Sequence, residues 1–132
     1  MGGSLILETT FLIDLEREHN RGTPGRAMAF LEEHDTARLY LTFTVAGELA
    51  AGAALRERER WTRFIAPFFV LASNAEVSWE YGQAFQHLQK NEQLIGTNDL
   101  WIAATALAYQ MPVVTRNVEH YRRVPGLDVM EY

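Results

Sequence analysis

Oxygen-bearing side chains stand at four points of the sequence, each beside the end of a predicted strand or the start of a predicted helix. Glu8 closes a short apolar run, and Glu48 lies one turn into the helix that follows the second predicted strand. Asp99 opens an apolar helix, and Asn117 follows the strand that ends at Thr115. In parallel α/β sheets, ligands bind in the crevice beyond the carboxyl ends of the strands. We therefore expect these side chains to gather at that edge of the sheet.

Three carboxylates and one amide form a set of hard oxygen ligands. Such a set, with neither histidine nor cysteine, suits Mg²⁺ or Mn²⁺ better than zinc. Several carboxylates in one place repel each other, so the cluster becomes reasonable mainly when a cation neutralises it. The chemistry that this predicts is metal-assisted phosphodiester hydrolysis, because a divalent cation activates water near neutral pH and stabilises charge on the phosphate.

Each of these positions also has an ordinary structural explanation. Glu8 fits an acid that is exposed to solvent at the end of a strand, and Glu48 fits a first-turn acid that complements the helix dipole. Asp99 fits an N-terminal helix residue beside a capping residue, and Asn117 fits a helix cap or a turn. The functional interpretation therefore depends on all four residues meeting at one edge.

Apolar runs of strand length alternate with helical patterns along the whole chain. This alternation predicts a three-layer α/β fold with a central parallel sheet of about five strands, flanked by helices. Thr44 is expected to cap the third helix, and the longest helix is expected to pack through Val77, Tyr81, Phe85 and Leu88. The predicted strands cover residues 5–9, 39–44, 68–72, 113–115 and 127–130, and the predicted helices cover residues 11–18, 26–34, 45–55, 56–65, 75–93, 99–109 and 118–121.

Length and composition set the outer limits. The 132 residues predict one domain, 1–132, with residues 1–4 set aside as a candidate expression remnant. Cysteine is absent, which excludes disulfides and thiolate metal sites. No apolar run approaches the roughly 20 residues of a membrane span, and the start lacks the features of a signal peptide. These observations predict a cytoplasmic protein.

The charge balance does not decide the substrate. A net charge of −5 is unpromising for a general nucleic-acid binder. However, Lys90 is the only lysine among the 12 basic residues. The others are arginine, whose planar fork suits phosphate and carboxylate, and bound divalent cations would remove part of the acidic excess.

At these residues the chain resembles the PIN-domain ribonucleases, and it is most similar to the toxins of VapBC toxin–antitoxin operons. The resemblance runs from LILETTFLIDL at residues 5–15 to VPGL at residues 124–127. Its most specific segments are NDLWIAA at residues 98–104 and VTRNVEHY at residues 114–121, and TVAGEL at residues 44–49 is also similar. Together these segments favour the PIN fold.

The resemblance implies cleavage of RNA that depends on Mg²⁺ or Mn²⁺. Glu48 and Asp99 match the second and third acids of the family, and Asn117 matches the fourth position, where the family accepts Asp or Asn. It also supports placing Asp99 at the sheet edge, since that residue opens a helix and does not end a strand. Glu8 departs from the family, which usually has Asp there. Its additional methylene moves the carboxylate outward by roughly 1 Å, a displacement that can cost about 100-fold in rate.

The resemblance also implies supporting residues and partners. Thr115, together with Thr9 or Thr10, matches hydroxyl residues that orient ligands or the attacking water. Arg116 is expected to contact RNA phosphate or an antitoxin carboxylate, with plain exposure to solvent as the alternative. A cognate antitoxin that covers the acidic groove and a homodimer are the expected protein partners. The competing interpretation is a PIN fold with a degenerate metal site that acts as a protein- or RNA-binding module.

Other charged residues carry weaker signals. Asp14 is expected to point to solvent or to a neighbouring arginine, and His120 is expected to be a surface residue. A basic cluster in the fourth helix is interleaved with acids, so it fits a solvated face with intrahelical ion pairs. The alternative is a wall that tracks RNA phosphates. This cluster comprises Arg56, Arg58, Arg60 and Arg63.

Overall fold

The computed structural model describes residues 2–132. In these residues five strands form one sheet that seven helices flank, and none of the helices combines the length and the apolarity needed to span a membrane. The strands are β1 (Ser4–Leu7), β2 (Arg38–Thr42), β3 (Phe69–Leu71), β4 (Val113–Thr115) and β5 (Val129–Glu131). The helices are α1 (Thr9–Arg21), α2 (Arg26–Glu33), α3 (Phe43–Ala51), α4 (Arg58–Ile65), α5 (Ala75–Lys90), α6 (Thr97–Tyr109) and α7 (Val118–Arg122).

The sheet has the order β3-β2-β1-β4-β5, and all its strand pairs are parallel. The central strand β1 pairs on both sides, since Ile6 lies opposite Tyr40 of β2 and opposite Val113 of β4. Strands that are buried on both faces read as continuous apolar runs, as β1 and β4 do. The predicted α/β fold with a central parallel sheet is confirmed. Parallel pairing also brings the carboxyl ends of all five strands to one edge.

Helix α5 packs against α6 through the face that its sequence predicts. Val77 and Leu88 are fully buried, and Tyr81 and Phe85 are half-buried with stacked rings. The Tyr81 ring also stacks on Trp101 of α6, with ring centroids 3.9 Å apart. The recurrence of apolar residues at helical spacing therefore predicts the contact surface of α5 correctly.

The start and end of α3 differ from the sequence expectation. Thr42, and not Thr44, caps the helix, because its hydroxyl accepts the Val45 backbone N–H at 3.1 Å. A cap must stand outside the helical turn, whereas Thr44 already lies in the first turn. The predicted helix over 45–55 also ends early, at Ala51, and a short 3-10 turn follows at Ala53–Leu55.

Candidate active site

Glu8 occupies a buried position at the carboxyl end of the central strand. Its side chain is only 3% exposed, so the explanation of Glu8 as a solvent-exposed strand-end acid is wrong. The Thr115 and Thr10 hydroxyls donate to its Oε1 atom at 2.5 and 2.8 Å, and the Thr10 backbone N–H donates to Oε2 at 3.2 Å. The backbone bond makes Glu8 the N-terminal cap of α1. Glu8 thus joins β1, α1 and β4 at one point.

Burial raises the pKa of the Glu8 carboxyl, and the negative charge of Asp99 raises it further. The hydrogen bonds from Thr115 and Thr10 oppose this change but do not cancel it. The ionised carboxylate is therefore costly here without a nearby positive charge. That is the electrostatic condition in which a cation binds favourably.

Asp99 lies in the first turn of α6, where the N-terminal backbone dipoles favour a carboxylate. No side chain caps this helix, so neither Thr97 nor Asn98 acts as its cap. The Tyr121 hydroxyl donates to Asp99 Oδ1 at 3.1 Å. His120 Nδ1 lies 3.9 Å from Asp99 Oδ2. Asp99 is therefore oriented by α7, the helix that follows β4.

Tyr121 is the residue that orients Asp99. The side chain is fully buried. Burial raises the pKa of its phenol, and the charges of Glu8, Asp99 and Glu48 each raise it further. The phenol therefore stays neutral and acts as a hydrogen-bond donor. Tyr121 carries no motif that predicts this role, although its i+4 spacing from Asn117 places both on one side of α7.

Glu48 is half-buried on α3 and faces the start of α1. Its Oε1 atom accepts the Thr9 hydroxyl at 2.7 Å, and its Oε2 atom accepts the Asn98 amide at 3.3 Å. No acid stands in the first turn of α3, so the explanation of Glu48 as a dipole-complementing residue is wrong. Instead, the side chain links the N-terminal ends of α1 and α6 across the edge of the sheet.

Asn117 and His120 form the fourth side of the site. Asn117 holds the cap position of α7, but its side chain makes no capping bond. Its Nδ2 atom lies 2.9 Å from His120 Nδ1, and its backbone N–H donates to the Thr115 hydroxyl at 2.9 Å. His120 lies at the surface, as predicted, with its side chain 43% exposed, and its ring stands near both Asn117 and Asp99. The i+3 spacing from Asn117 indicates the first contact, whereas the approach to Asp99 of another helix has no spacing signal in the sequence.

Arg116 points away from the acids. Its guanidinium lies 3.3 Å from Asp14 Oδ2, and its side chain is 48% exposed. The same Asp14 oxygen accepts the Tyr132 hydroxyl at 2.6 Å. Asp14 thus pairs with a neighbouring arginine, which is one of its two predicted environments. The Arg116 backbone N–H meets the Thr10 hydroxyl at 3.4 Å, so the pair stands directly beside the Glu8 environment.

The donor set fits a hard divalent cation that keeps part of its water. Within residues 2–132, no three acidic or histidine side chains lie close enough to hold one ion by themselves. Mg²⁺ is usually bound by one or two carboxylates together with waters and substrate phosphates, so a dedicated protein cage is not required. The charge of Asp99 adds to burial in raising the pKa of Glu8. Glu8 and Asp99 could supply the one or two carboxylates that such a cation needs.

Known proteins are similar to this chain along most of its length. The chain is 36% identical to a ribonuclease VapC of Rickettsia bellii over 63 residues, which is 48% of this chain and 47% of that protein, about half the length of each. It is 28% identical to ribonuclease VapC1 of Haemophilus influenzae over 135 residues, which is 96% of both proteins. The solved structure of VapBC-1 from nontypeable Haemophilus influenzae contains a chain that matches with a TM-score of 0.80 and 27% identity, over 97% of each chain.

A sequence model of one family covers most of the chain. The PIN domain model matches residues 5–127, which include every residue of the acidic site. The resemblance that the NDLWIAA and VTRNVEHY segments indicate is thereby confirmed, and this chain belongs to the PIN domain family.

Proposed function

We propose that this chain is an endoribonuclease that hydrolyses RNA phosphodiester bonds with Mg²⁺ or Mn²⁺, as the toxin of a type II toxin–antitoxin system. The observation that carries the proposal is the approach of Glu8, Glu48 and Asp99 at the carboxyl edge of the sheet, where Glu48 bonds to Thr9 and Asn98, the chain neighbours of the other two acids. The full-length relatives named ribonuclease VapC1 support this assignment.

Glu8 and Asp99 are the residues that would hold the cation directly. Glu48 and Asn117 would complete the oxygen ligands, directly or through water. When bound, the cation supplies an activated water and stabilises the charge that builds on the phosphate. Its positive charge would also offset the burial and the Asp99 charge that raise the pKa of Glu8.

The neighbouring residues of this chain keep the carboxylates in position. Thr10 and Thr115 fix both the direction and the depth of the Glu8 carboxylate. Tyr121 fixes the Asp99 carboxylate through its hydroxyl, which is able to donate a hydrogen bond because the phenol stays neutral. A site whose ligands are oriented before the substrate arrives needs little reorganisation during the reaction.

The test of the function is cleavage of RNA by purified protein with Mn²⁺, with EDTA as the metal-free condition. Asp99→Asn should abolish the cleavage, since it removes a ligand charge, and it should leave the thermal midpoint similar or higher because carboxylate repulsion is relieved. Asp35→Asn, at an exposed acid outside the site, is the matched control. RNA cleavage that persists in Asp99→Asn would contradict the assignment of the site.

The proposed partners follow from the same function. A small antitoxin, encoded beside this chain, would cover the acidic groove, and the reaction would take place in the cytoplasm. We also propose a homodimer, since residues 2–132 leave large apolar side chains exposed, among them Trp79 at 63%. An adjacent gene for a short DNA-binding protein would favour the toxin role over a stand-alone module.

The environment of Glu8 also supports a second candidate function. If the longer side chain fails to hold a cation, the chain is a PIN fold with a degenerate site that binds protein or RNA. The buried Glu8 carboxylate already has hydrogen bonds from two threonines, which a metal-free site also requires. Calorimetry with millimolar Mn²⁺ separates the two functions, since the degenerate site binds none.

A further inference from the structure

A charged cleft runs along α1, away from the acidic site. Its α1 residues, Asp14, Arg17, Glu18 and Arg21, recur at a spacing of three or four, which places them on one side of the helix. Thr10, which contacts Glu8, lies one turn before Asp14 on the same side. The cleft has a volume of about 410 Å³, and its remaining lining residues are Gly25, Arg26 and Arg116.

Both acids in this cleft already have partners. Asp14 pairs with Arg116 and accepts the Tyr132 hydroxyl. Glu18 is buried at 4% exposure, and its carboxylate accepts three backbone N–H groups at the start of α2, at 2.8, 3.0 and 3.0 Å. Backbone hydrogen bonds at a helix start already stabilise that negative charge. Both carboxylates therefore already have hydrogen-bond or ion-pair partners outside the three remaining arginines of the cleft.

Three arginines in the cleft are exposed and form no close ion pair, although the charge of Arg21 acts on Glu18. In the part of the chain that the structure describes, no carboxylate oxygen lies within 4 Å of the guanidinium nitrogens of Arg17, Arg21 or Arg26. Charged hydrogen-bond donors in such a group repel each other unless an anion lies between them. Arg26 also opens α2, where a positive charge opposes the helix dipole. These positive charges lower the stability of the fold, and an anionic ligand in the cleft would offset that cost.

The cleft adjoins the proposed metal site through Arg116, which lines the cleft and contacts Thr10. The Arg116 backbone N–H contacts the Thr10 hydroxyl, and that hydroxyl donates to Glu8. From Thr10 to Arg21 the helix rises about 16 Å at ~1.5 Å per residue. A ligand that passes from the acids along α1 would therefore meet several arginines in succession.

We propose that this arginine cleft binds the sugar–phosphate backbone of RNA that flanks the cleaved bond, an inference that rests on the proposed ribonuclease function. The lining residues are charged except for Gly25, so the cleft lacks the aromatic and apolar anchors on which protein interfaces depend. The arginine fork suits phosphate, and contacts to the backbone hold RNA without reading its bases. An acidic protein segment is the occupant that the test must exclude.

A second arginine cluster, Arg56 just before α4 together with Arg58, Arg60 and Arg63 within it, provides a matched comparison. These arginines are exposed. Arg58 lies over the Trp61 ring at 5.7 Å from its centroid, and Arg60 and Arg63 border a cavity that apolar side chains share. None of them contacts a residue of the acidic site among the interactions of residues 2–132. Removal of three charges from this second cluster changes the net charge as much as removal of three from the cleft.

The experiment measures binding of a short, fluorescein-labelled single-stranded RNA by anisotropy, in the Asp99→Asn background so that RNA stays intact. The triple variant Arg17→Gln/Arg21→Gln/Arg26→Gln should weaken binding about tenfold. Between about 50 and 200 mM salt, the negative slope of log K against log salt should become shallower by about 2, since each lost phosphate contact accounts for ~0.7. The control Arg56→Gln/Arg58→Gln/Arg60→Gln should change binding less than about twofold.

A second triple variant separates charge from fold. Replacement of the three cleft arginines by lysine keeps the charge, so the salt slope should stay close to that of the parent while affinity falls by a smaller factor. Arg26→Gln alone removes a charge that opposes the helix dipole, so it cannot act by unfolding α2. Circular dichroism of each variant checks that the fold is kept.

Three results would overturn the cleft as an RNA site. The first is that the Arg17/Arg21/Arg26 variant binds RNA as tightly as the parent. The second is that this variant and the Arg56/Arg58/Arg60 control lose the same affinity, because the change in net charge would then explain the loss. Loss of binding to a poly-glutamate peptide, with RNA binding intact, would assign the cleft to an acidic protein. Failure of the ribonuclease proposal looks different, since the parent would then cleave no RNA with Mn²⁺ whatever the cleft binds.

Discussion

Glu8 joins two elements through the two oxygens of its carboxylate. Short side chains cap helices most often, since they reach the nearby N–H groups directly. Glu8 caps α1 through one oxygen, and its other oxygen accepts the Thr115 and Thr10 hydroxyls. The side chain thus ties the start of α1 to the end of β4 and leaves the carboxylate buried among its hydrogen-bond donors.

Glu8→Asp tests the structural role of Glu8 separately from its proposed role as a metal ligand. We expect Mn²⁺-dependent RNA cleavage to be held or raised, because the shorter arm is the usual ligand. We expect the thermal midpoint without metal to fall by a few degrees, because a carboxylate about 1 Å shorter loses part of a buried hydrogen-bond network. Cleavage rates and thermal melts of the two proteins measure both effects. Glu32→Asp, at an exposed position of α2, is the control.

Two outcomes for Glu8→Asp would change the picture. A variant that binds Mn²⁺ but cleaves more slowly than the parent would show that this site has adapted to the longer ligand. A parent that binds no Mn²⁺, together with a variant that gains both binding and cleavage, would show that this chain lost the chemistry and kept the fold.

At the residue scale, sequence spacing predicts which acids approach the sheet edge. It does not predict the neighbouring side chains that orient those acids. Glu8 and Asn117 could be located because each follows an apolar strand. The role of Tyr121 could not be predicted, because it depends on burial beneath three carboxylates that come from distant parts of the chain. The approach of His120 to Asp99 was missed for a similar reason, since Asp99 belongs to another helix.

At the scale of the helices, the α1–α2 junction explains why α2 begins at Arg26. Gly25 holds the cap position but offers no side chain. The Glu18 carboxylate from α1 takes over the role, since it accepts the backbone N–H groups of Gly25, Ala27 and Met28. The chain returns from α1 through Gly22, whose φ of 67° lies in the left-handed region that favours glycine. A single carboxylate therefore satisfies most of one helix start.

Glu18→Gln should destabilise the fold by about 1–3 kcal/mol at neutral pH, because a neutral amide replaces a buried carboxylate that three N–H groups stabilise. Burial alone would raise the pKa of Glu18, but those hydrogen bonds, with help from the charge of Arg21, outweigh it and lower the pKa. A lowered pKa contributes stability that is present above the unfolded value, roughly 4.3. That stability is lost as the pH falls through the lower, folded value.

Denaturant melts of parent and Glu18→Gln between neutral and acidic pH measure this difference. The gap in unfolding free energy should be largest at neutral pH and should shrink as the solution is acidified below the unfolded pKa. Glu33→Gln, at the exposed end of α2, is the matched control and should show little change. A gap that stays constant at all pH values would contradict the role of the Glu18 charge.

The helices and strands show which parts of the fold the sequence could predict. The five parallel strands were predicted because buried strands read as apolar runs, and helices separate them. Their ends were less certain, as at β1, which stops at Leu7 because Glu8 already caps α1. The early end of α3 was missed, since its alanine-rich pattern continues through the extended residue Gly52. Tertiary contacts fix such ends, and helical spacing does not record them.

At the scale of the whole molecule, the exposed apolar surface bears on assembly. Trp79 on α5 is 63% exposed, and Phe69 and Val70 stand exposed on the edge strand β3 at 60% and 46%. Exposed edges and large aromatic side chains usually mark contacts with another chain. We therefore expect the homodimer to bury Trp79.

Light scattering of the purified chain tests this assembly. The parent should have twice the mass of the 15.1 kDa chain, and Trp79→Lys should shift it toward the monomer, because a charge would then be buried in the contact. Leu94→Lys, at another exposed apolar residue, is the control. A Trp79→Lys protein that stays dimeric would place the contact elsewhere.

The acidic site should also control the stability of the whole fold. A cation that binds the folded chain and not the unfolded one stabilises it by about 2.7 kcal/mol at 100 times its dissociation constant. For a chain of this length that corresponds to a rise of about 10 °C in thermal midpoint. We expect this rise with Mn²⁺ in the parent, its reversal by EDTA, and a much smaller rise in Asp99→Asn. The size of the effect does not depend on RNA, so it reports on the site even where the RNA target is unknown. A midpoint that millimolar Mn²⁺ leaves unchanged in the parent would favour the degenerate site, in which the buried Glu8 carboxylate keeps its raised pKa with no cation to offset it.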